Sequence, residues 1–269
     1  MFNRTDAYIE PQPNIDGYYQ SLTGYNYSFL FAHEKKYFNH VYMQSEKEWM
    51  TYHWPNCFLY VFVYLVVIFS GQKFMEKREK FELRRALVAW NFVLGSFSAL
   101  GAIRVWPEFI HVLNKYGLEH TYCNSDWQFG VTGGWGGLFI ISKFPELIDT
   151  FFIVARKQPL IFLHWYHHAT VCICFSKTKI NFFLITLYFC LKVLLYAWLS
   201  CRDFAASGRW FVIMNYSVHA VMYFYYGFRA LRFNIPKWIN IFITSSQMLQ
   251  MVFGVYINIS AYLIRERGG

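Results

Sequence analysis

Long apolar stretches, each close to the length of a membrane-spanning helix, follow one another through most of this chain. A span needs about 20 mostly apolar residues. Seven stretches approach or meet that length: 54–71, 87–106, 134–154, 160–175, 180–200, 210–228 and 238–264. The pattern predicts an all-α, polytopic membrane helix bundle. It places one membrane-embedded domain over residues 54–269, behind a polar N-terminal arm of residues 1–53.

Composition and charge agree with a membrane environment. Of the 269 residues, 56% are hydrophobic and 15% are charged, whereas a typical soluble domain has roughly 25% charged residues. We interpret the formal net charge of +9 as loop charge that sets topology, and we expect no nucleic-acid partner. Loop 72–86 is the most basic loop, with Lys73, Lys77, Arg78, Lys80, Arg84 and Arg85. By the positive-inside rule this loop faces the cytosol, so the N-terminal arm is predicted to face the lumen.

Charged side chains inside a predicted span are functional candidates, because each is costly near the bilayer centre. Lys143, Glu146 and Asp149 recur at three-residue intervals in span 134–154, and Thr150 follows directly. At about 100° per residue, this spacing places all four on one helical face. One interpretation is a neutralised salt bridge that holds two helices together. The third charge favours a functional site instead.

A cluster of histidines lies at the start of the next span. His164, His167 and His168 have the spacing i, i+3 and i+4, which gathers three imidazoles on one helical face. Histidines at this spacing could ligate a metal, or they could act as nucleophile and acid–base groups. The spacing by itself does not distinguish these two chemistries.

The last two predicted spans also carry polar stripes. The residues concerned are Asn215, His219, Met222 and Tyr223 in span 210–228, and Thr244, Gln247 and Gln250 in span 238–264. Taken singly, such residues are usually explained as interhelical hydrogen bonds. Polar faces in four spans together predict a shared polar interior.

These motifs, in their order along the chain, resemble the signature series of the ELO fatty acid elongases. The series comprises Lys143-x-x-Glu146-x-x-Asp149-Thr150, His164-x-x-His167-His168, Asn215-x-x-x-His219-x-x-Met222-Tyr223 and Thr244-x-x-Gln247-x-x-Gln250. The stretch from Arg156 to His168 is similar to the branch that elongates saturated and monounsaturated acyl chains. The histidine motif alone is weakly specific, since membrane desaturases share it, but four motifs in series are specific.

The resemblance implies a multi-pass protein of the endoplasmic reticulum membrane, with six helices around a closed acyl tunnel and one peripheral helix. The implied activity is that of a very-long-chain 3-oxoacyl-CoA synthase, an acyltransferase. It condenses a long-chain acyl-CoA with malonyl-CoA to 3-oxoacyl-CoA, CoA and carbon dioxide. The resemblance implies no metal and no other cofactor. The implied partners are the two substrates, the bilayer, the reductase, dehydratase and enoyl reductase of the elongation cycle, and a second copy of the chain.

Residue roles follow from the resemblance together with the chemistry of condensation. Neither Cys172 nor Cys174 matches a family motif, which leaves histidine as the acyl acceptor. The resemblance assigns that role to His167, with His219 opposite as its partner and with His164 and His168 as orienting and donating groups. The substrate-binding residues implied in the same way are Lys143, Glu146, Asp149, Asn215, Tyr223, Gln247 and Gln250.

The chain departs from the family pattern in two places. Removal of residues 172–193 restores the pattern, so we interpret these 22 residues as an insertion. The sequence also ends before the seventh helix of the family and lacks the cysteine expected to pair with Cys123. A splice variant or a wrongly predicted gene would explain both departures. We expect the chain as written to be inactive. If 180–200 forms an extra crossing, every later span is inverted, and if the insertion stays out of the bilayer, its apolar run must be covered elsewhere. Deletion of 172–193 is expected to be necessary for activity but not sufficient, because the last helix is missing as well.

Two other functions compete with condensation. A di-iron desaturase or hydroxylase requires three histidine boxes, whereas most of the remaining histidines of this chain are scattered outside the spans. A non-catalytic transporter or receptor would use the polar faces to line a path. Metal analysis separates the first alternative from an elongase, and product formation from malonyl-CoA separates the second.

Overall fold

The structure is a computed structural model that describes residues 23–38, 48, 52, 56–159 and 206–266. Regular structure in these ranges is helical, as the sequence predicts. In chain order the helices are α1 (Ala32–Tyr37), α2 (Asn56–Glu76), α3 (Arg84–Tyr116), α4 (Leu118–Cys123), a 3-10 turn (Asp126–Gln128), α5 (Gly130–Glu146), α6 (Ile148–Ala155), α7 (Gly208–Ala230) and α8 (Lys237–Glu266). The predicted spans 160–175 and 180–200 lie outside the described residues, as does the predicted insertion.

Helices α3 and α7 form the central antiparallel pair of the bundle. Phe109 packs on Trp210 near one end of the pair, with ring centroids 4.7 Å apart, and Phe92 packs on Phe228 near the other. Between these contacts the ring of Tyr216 lies against Gly101, where a Cβ atom would be 2.7 Å from the ring. Glycine at position 101 therefore permits the close approach of the two helices.

Two further long helices flank this pair. Helix α8 runs antiparallel to α7, since Gln247 contacts Met222 and Phe253 contacts Trp210 further along. Helix α2 packs on α6, where the hydroxyl of Tyr64 lies 2.8 Å from the hydroxyl of Thr150. The predicted spans 54–71, 210–228 and 238–264 are thus confirmed as helices. Helix α2 starts two residues later and ends five residues later than predicted, and α7 and α8 have somewhat wider bounds than predicted.

The structure divides the predicted span 134–154 into two helices. Helix α5 ends at Glu146 and α6 begins at Ile148. Pro145 cannot donate a backbone hydrogen bond and its ring crowds the preceding turn. The turn tightens beside it, since the N–H of Leu147 donates to the carbonyl oxygen of Phe144 at 3.1 Å. The prediction of a single straight helix is therefore wrong.

Helix α3 is longer than its predicted span 87–106. It continues through Pro107 to Tyr116 and stops at Gly117, whose φ of 86° lies in the region that favours glycine. Proline usually ends a helix because it removes one backbone hydrogen bond. Here the phenol of Tyr27 donates to the neighbouring carbonyl oxygen of Arg104 at 2.9 Å, which satisfies that carbonyl where the helix is locally weakened.

The N-terminal arm is anchored to the bundle through a buried carboxylate. Glu34 of α1 is fully buried and accepts two hydrogen bonds of 2.7 Å from Arg104 of α3. It also accepts from the indole N–H of Trp135 at 2.8 Å and from the backbone N–H of Phe31 at 2.9 Å. A buried ion is stable only when it is paired and hydrogen-bonded, and Glu34 meets both conditions.

A second buried carboxylate holds the preceding part of the arm. Glu108 accepts hydrogen bonds from Thr23 at 2.8 Å, from Tyr27 at 3.3 Å and from Thr132. Burial raises the pKa of the Tyr27 phenol, and the Glu108 carboxylate raises it further. The phenol therefore stays protonated and acts as a donor. Residues 23–38 are in this way fixed to α3 and α5 from one end of the bundle.

The two ends of the bundle differ in chemistry. We call the end that carries residues 23–38 the arm end, and the end formed by the α2–α3 loop and the α7–α8 loop the basic end. Basic residues exposed at the latter include Lys73, Lys77, Arg78, Lys80, Arg229, Arg232 and Lys237. Two described helices, Arg84–Tyr116 and Lys237–Ile264, are long and apolar enough to cross a membrane. The fold is consistent with an all-α membrane protein, as predicted.

The direction of α7 contradicts one expectation from the sequence. Helix α6 ends at the basic end, where the carbonyl of Ala155 accepts from the N–H of Phe81. Helix α7 begins at the arm end, where Arg209 is paired with Asp126. Helix α7 therefore runs from the arm end to the basic end, and Arg229 and Arg232 lie at the same end as the α2–α3 loop. The inversion that an extra crossing by 180–200 would cause is not seen among the described helices, and 180–200 itself lies outside the described residues.

Glycosylation of the arm tests the predicted orientation. Asn26 begins the sequon Asn26-Tyr27-Ser28 and is exposed at the arm end. If this end is luminal, we expect an endoglycosidase-sensitive mobility shift. Asn26→Gln should reduce the shift, and Asn3→Gln should remove any contribution of the other sequon. Digestion of an N-terminal tag by protease added to intact microsomes would show instead that the arm is cytosolic.

Candidate functional site

Four polar side chains of α5 and α7 form one connected chain inside the bundle. Lys143 lies 2.8 Å from Oε1 of Glu146 and donates to Oδ1 of Asn215 at 3.0 Å. Asn215 in turn lies 3.2 Å from Nε2 of His219, and Nδ1 of His219 lies 3.7 Å from Glu146. Two side chains of each helix thus meet across the interface, as their spacing predicts.

The charged members of this chain are withdrawn from solvent. Lys143, Glu146 and His219 have side chains that are 14%, 8% and 12% exposed. The ammonium group of Lys143 also lies 4.3 Å from the ring centroid of Phe139. Since a buried carboxylate is costly unless paired, the Lys143–Glu146 ion pair stabilises the carboxylate beside His219.

Hydrogen bonding fixes the orientation of the histidine ring. Oδ1 of Asn215 is occupied by Lys143, so the amide nitrogen faces Nε2 of His219. An amide N–H donates, so Nε2 of a neutral imidazole must accept. The ring proton then lies on Nδ1, which faces Glu146. The network therefore selects one tautomer of His219.

Asp149 of α6 forms a separate cluster with Tyr223, which lies one turn beyond His219 in α7. Its two carboxylate oxygens accept from the indole N–H of Trp90 at 2.7 Å and from the phenol of Tyr223 at 2.8 Å. A carboxylate can accept about four hydrogen bonds, so Asp149 keeps acceptor capacity. Thr150 points elsewhere, toward Tyr64 of α2. The prediction that it shares a face with the three charged residues is wrong, because α6 begins anew after Leu147.

The polar stripe of α8 reaches the same helix by a different contact. The amide nitrogen of Gln247 lies 3.1 Å from the sulfur of Met222, the neighbour of Tyr223 in sequence. Gln250 is half-buried one turn further along, whereas Thr244 is exposed. Of the predicted stripe, the structure places Gln247 against α7. The predicted catalytic residues His164, His167 and His168 lie outside the described residues, and their placement stays a prediction.

Trp90 is the site residue that sequence reasoning missed. It lies in α3, which carries none of the four motifs, and it contacts both Asp149 and the ring of Phe152. The available signal was chemical: an indole N–H inside an apolar helix needs an acceptor. Which acceptor it meets depends on how α3 packs on α6, and no sequence spacing gives that.

The fold and this interior network define an all-α membrane protein with a charged site between the parallel helices α5 and α7. The chain matches the family described as ELO: GNS1/SUR4 family over residues 49–182 and 175–267. It therefore belongs to the ELO family, as the motif series predicts. The two matched segments overlap at residues 175–182, within the predicted insertion. The insertion itself stays a prediction.

Individual relatives agree with this assignment. The chain is 45% identical over 238 residues to "Very long chain fatty acid elongase 6" of Drosophila melanogaster, an alignment that covers 88% of this chain and 67% of that protein. The chicken (Gallus gallus) protein of the same name is 41% identical over 92% of this chain and 82% of its own length. "Very long chain fatty acid elongase 3" of Mus musculus is 38% identical over 84% of this chain and 76% of its own length. No solved structure matches the chain.

Proposed function

We propose that this chain carries out the condensing step of fatty acid elongation, as a very-long-chain 3-oxoacyl-CoA synthase. Its family and the names of its relatives support elongation. The observation that carries the proposal is the buried network of Lys143, Glu146, Asn215 and His219, because a merely structural ion pair would not need an oriented imidazole. We place the protein in the endoplasmic reticulum membrane, as a multi-pass protein whose basic end faces the cytosol.

The proposed reaction has two steps. An imidazole nitrogen of His167 attacks the thioester carbonyl of the acyl-CoA, so an acyl-imidazole forms and the CoA thiolate leaves and takes up a proton. Malonyl-CoA then loses carbon dioxide, and the enolate carbon attacks the acyl carbonyl. The carbon–nitrogen bond breaks, His167 is regenerated and 3-oxoacyl-CoA forms. The apolar interior of the bundle protects the acyl-imidazole from water.

The described geometry supports His167 rather than His219 as the acyl acceptor. Nε2 of His219 already faces a donor amide, and its Nδ1 carries the proton in the selected tautomer. Neither nitrogen then offers a free lone pair for attack. His219 is proposed instead as the partner of His167, held in a fixed orientation by Asn215 and Glu146. His164 and His168 are proposed to orient the substrate and to donate hydrogen bonds.

The remaining polar residues are proposed to bind substrate. Asp149, held by Tyr223 and Trp90, has unused acceptor capacity facing the interior. Gln247 and Gln250 of α8 are proposed to hold the junction between CoA and the acyl chain. The substrates are a long-chain acyl-CoA and malonyl-CoA, no metal or cofactor is proposed, and the other elongation enzymes and a second copy of the chain remain proposed partners.

An elongation assay tests the proposal directly. Microsomes that contain the chain are given a panel of acyl-CoAs and labelled malonyl-CoA, and 3-oxoacyl-CoA is measured. A second form is assayed alongside, in which residues 172–193 are deleted and the C-terminus is extended by the corresponding segment of the chicken relative, because both departures from the family pattern are expected to prevent activity. Product formation by either form, above an empty-vector background, supports the proposal. Absence of product from both forms, with each inserted in the membrane, contradicts it.

Trp90 supplies a prediction about the Asp149 cluster. Trp90→Phe keeps an aromatic ring but removes the N–H that Asp149 accepts. We expect kcat/KM to fall about tenfold or more, since a hydrogen bond to a charged group contributes roughly 1.5–3 kcal/mol. The effect should disappear in an Asp149→Leu background, which removes the acceptor, because Trp90 acts through that carboxylate.

A matched control for this prediction lies on the same helix. Trp106 also donates its indole N–H to α7, at 3.0 Å from the hydroxyl of Ser217, but near the arm end. Trp106→Phe should leave kcat/KM close to that of the parent chain. Equal losses for the two substitutions, or a Trp90→Phe effect that persists without the Asp149 carboxylate, would assign Trp90 a structural role only.

A further inference from the structure

A groove of about 1000 Å³ separates α2 from α6 on the outside of the bundle. This volume is at the upper end of the roughly 300–1,000 Å³ range of ligand sites. Its walls are apolar, and they include Val63, Val67 and Phe74 of α2 and Phe151 of α6. These four side chains are about half exposed in the protein alone. The groove therefore opens sideways, toward the hydrocarbon of the bilayer.

The floor of the groove is closed by contacts between the two helices. The hydroxyl of Tyr64 is satisfied by Thr150, so the wall offers no free polar group at that point. Val154 approaches Gly71 closely, since a Cβ atom there would be 3.4 Å from it. Along α2 the lining runs from Leu59 to Met75, about 24 Å at 1.5 Å per residue. A site of this shape fits extended hydrocarbon chains.

Two cations stand at the mouth of the groove, at the basic end. The guanidinium of Arg78 lies 4.0 Å from the ring centroid of Phe74, itself part of the wall. The ammonium group of Lys157 donates to the backbone oxygen of Glu76 at 3.2 Å. Both side chains are exposed, and neither forms an ion pair with any of the described residues. The mouth thus offers positive charge directly above an apolar channel.

We propose that this groove binds an anionic phospholipid, with its acyl chains against α2 and α6 and its headgroup at Arg78 and Lys157. Charge complementarity identifies the occupant, because unpaired basic residues at a membrane surface attract anionic lipid. The sideways opening distinguishes a bilayer lipid from a ligand delivered from water. Helix α6 separates the groove from the Asp149 cluster, so a bound lipid supports this short helix from the side opposite the proposed site.

Lipid retention by the purified protein tests the proposal without any assay of elongation. The protein is equilibrated in nanodiscs that contain phosphatidylserine and phosphatidylcholine in equal amounts, extracted gently, and its bound lipids are counted by native mass spectrometry. We expect preferential retention of phosphatidylserine. Arg78→Gln combined with Lys157→Gln should reduce the preference about 30-fold, for two cations that each contribute about 1 kcal/mol at an anionic surface. Val67→Trp should reduce retention of both lipids by filling the groove.

A matched control removes the same charge elsewhere at the basic end. Arg232 of the α7–α8 loop and Lys237, the first residue of α8, are exposed away from the groove. Arg232→Gln with Lys237→Gln should therefore preserve the preference for phosphatidylserine. All substituted positions are exposed, so each variant should elute as the parent protein does in size-exclusion chromatography. The proposal is overturned if the two double variants lose the preference equally, or if the parent protein retains both lipids alike. It is also overturned if added acyl-CoA displaces the lipid while phosphatidylcholine replaces phosphatidylserine freely.

Discussion

Replacement of His167 by alanine is expected to reduce condensation to the background rate. If His167 carries the acyl group, its loss removes the covalent intermediate, and losses of such nucleophiles are often on the order of 10⁴-fold or more. His219→Ala should be severe as well, at roughly 10²–10⁴-fold, the range typical of a group that donates or accepts a proton at the reacting centre. Inhibition by metal chelators should be absent.

The comparison is made in an active form of the chain, with membrane insertion measured for each variant. His33→Ala is the matched control, because His33 lies exposed in the arm and outside the proposed site. It should leave turnover unchanged. Substantial turnover by His167→Ala would remove that residue from the role of acyl acceptor. A covalent acyl adduct trapped on His219 in that variant would reassign the role and contradict the tautomer that the network of Asn215 and Lys143 selects.

Replacement of Arg104 by alanine is expected to release the N-terminal arm from the bundle. Arg104 makes two hydrogen bonds to Glu34, which has no exposed surface. Removal of one partner leaves the other charge buried and unpaired, a loss of about 3–5 kcal/mol. Protease should then cleave within residues 23–38 in opened microsomes, and the thermal unfolding midpoint in detergent should fall.

A second substitution separates charge from packing in this prediction. Arg104→Met keeps an apolar stem of similar length, and Glu34→Gln removes the charge that the first change would leave unpaired. The double variant should recover part of the stability lost by Arg104→Met alone. Arg229→Ala, a change at an exposed position of the basic end, should have little effect. Equal stability of Arg104→Ala and the parent chain would show that the arm is held by its apolar contacts instead.

The motif residues show which side-chain contacts can be predicted from spacing along a helix. Helical periodicity placed Lys143 and Glu146 on one face of α5, and Asn215, His219 and Tyr223 on one face of α7, and the structure brings these faces together. Such a prediction succeeds because it depends only on the regular rotation of a helix. It failed at Thr150, where Pro145 interrupts the regular rotation and α6 begins with a new direction.

The topology was harder to predict, because the apolar pattern gives the number of candidate spans but not the direction in which each one crosses the membrane. An extra crossing by 180–200 would have inverted α7, whereas the packing of α7 along α3 fixes the opposite direction. The contact between Phe92 and Phe228 at one end and between Phe109 and Trp210 at the other cannot form in the inverted orientation. Tertiary packing therefore decides the direction of α7, which apolarity does not.

Composition, periodicity and motif order are local properties of the chain, and they were enough to predict a helical membrane protein of the ELO family and to place Lys143, Glu146, Asn215 and His219 on polar stripes of two spans. Only the tertiary structure decided that the arm is anchored by Glu34 and Glu108, that Trp90 holds Asp149, and that an apolar groove with a basic mouth lies beside α6. Each of these joins residues far apart in sequence. Their contacts depend on how helices pack against one another. A buried polar side chain indicates that a hydrogen-bond partner must exist, but it does not indicate which residue that partner is.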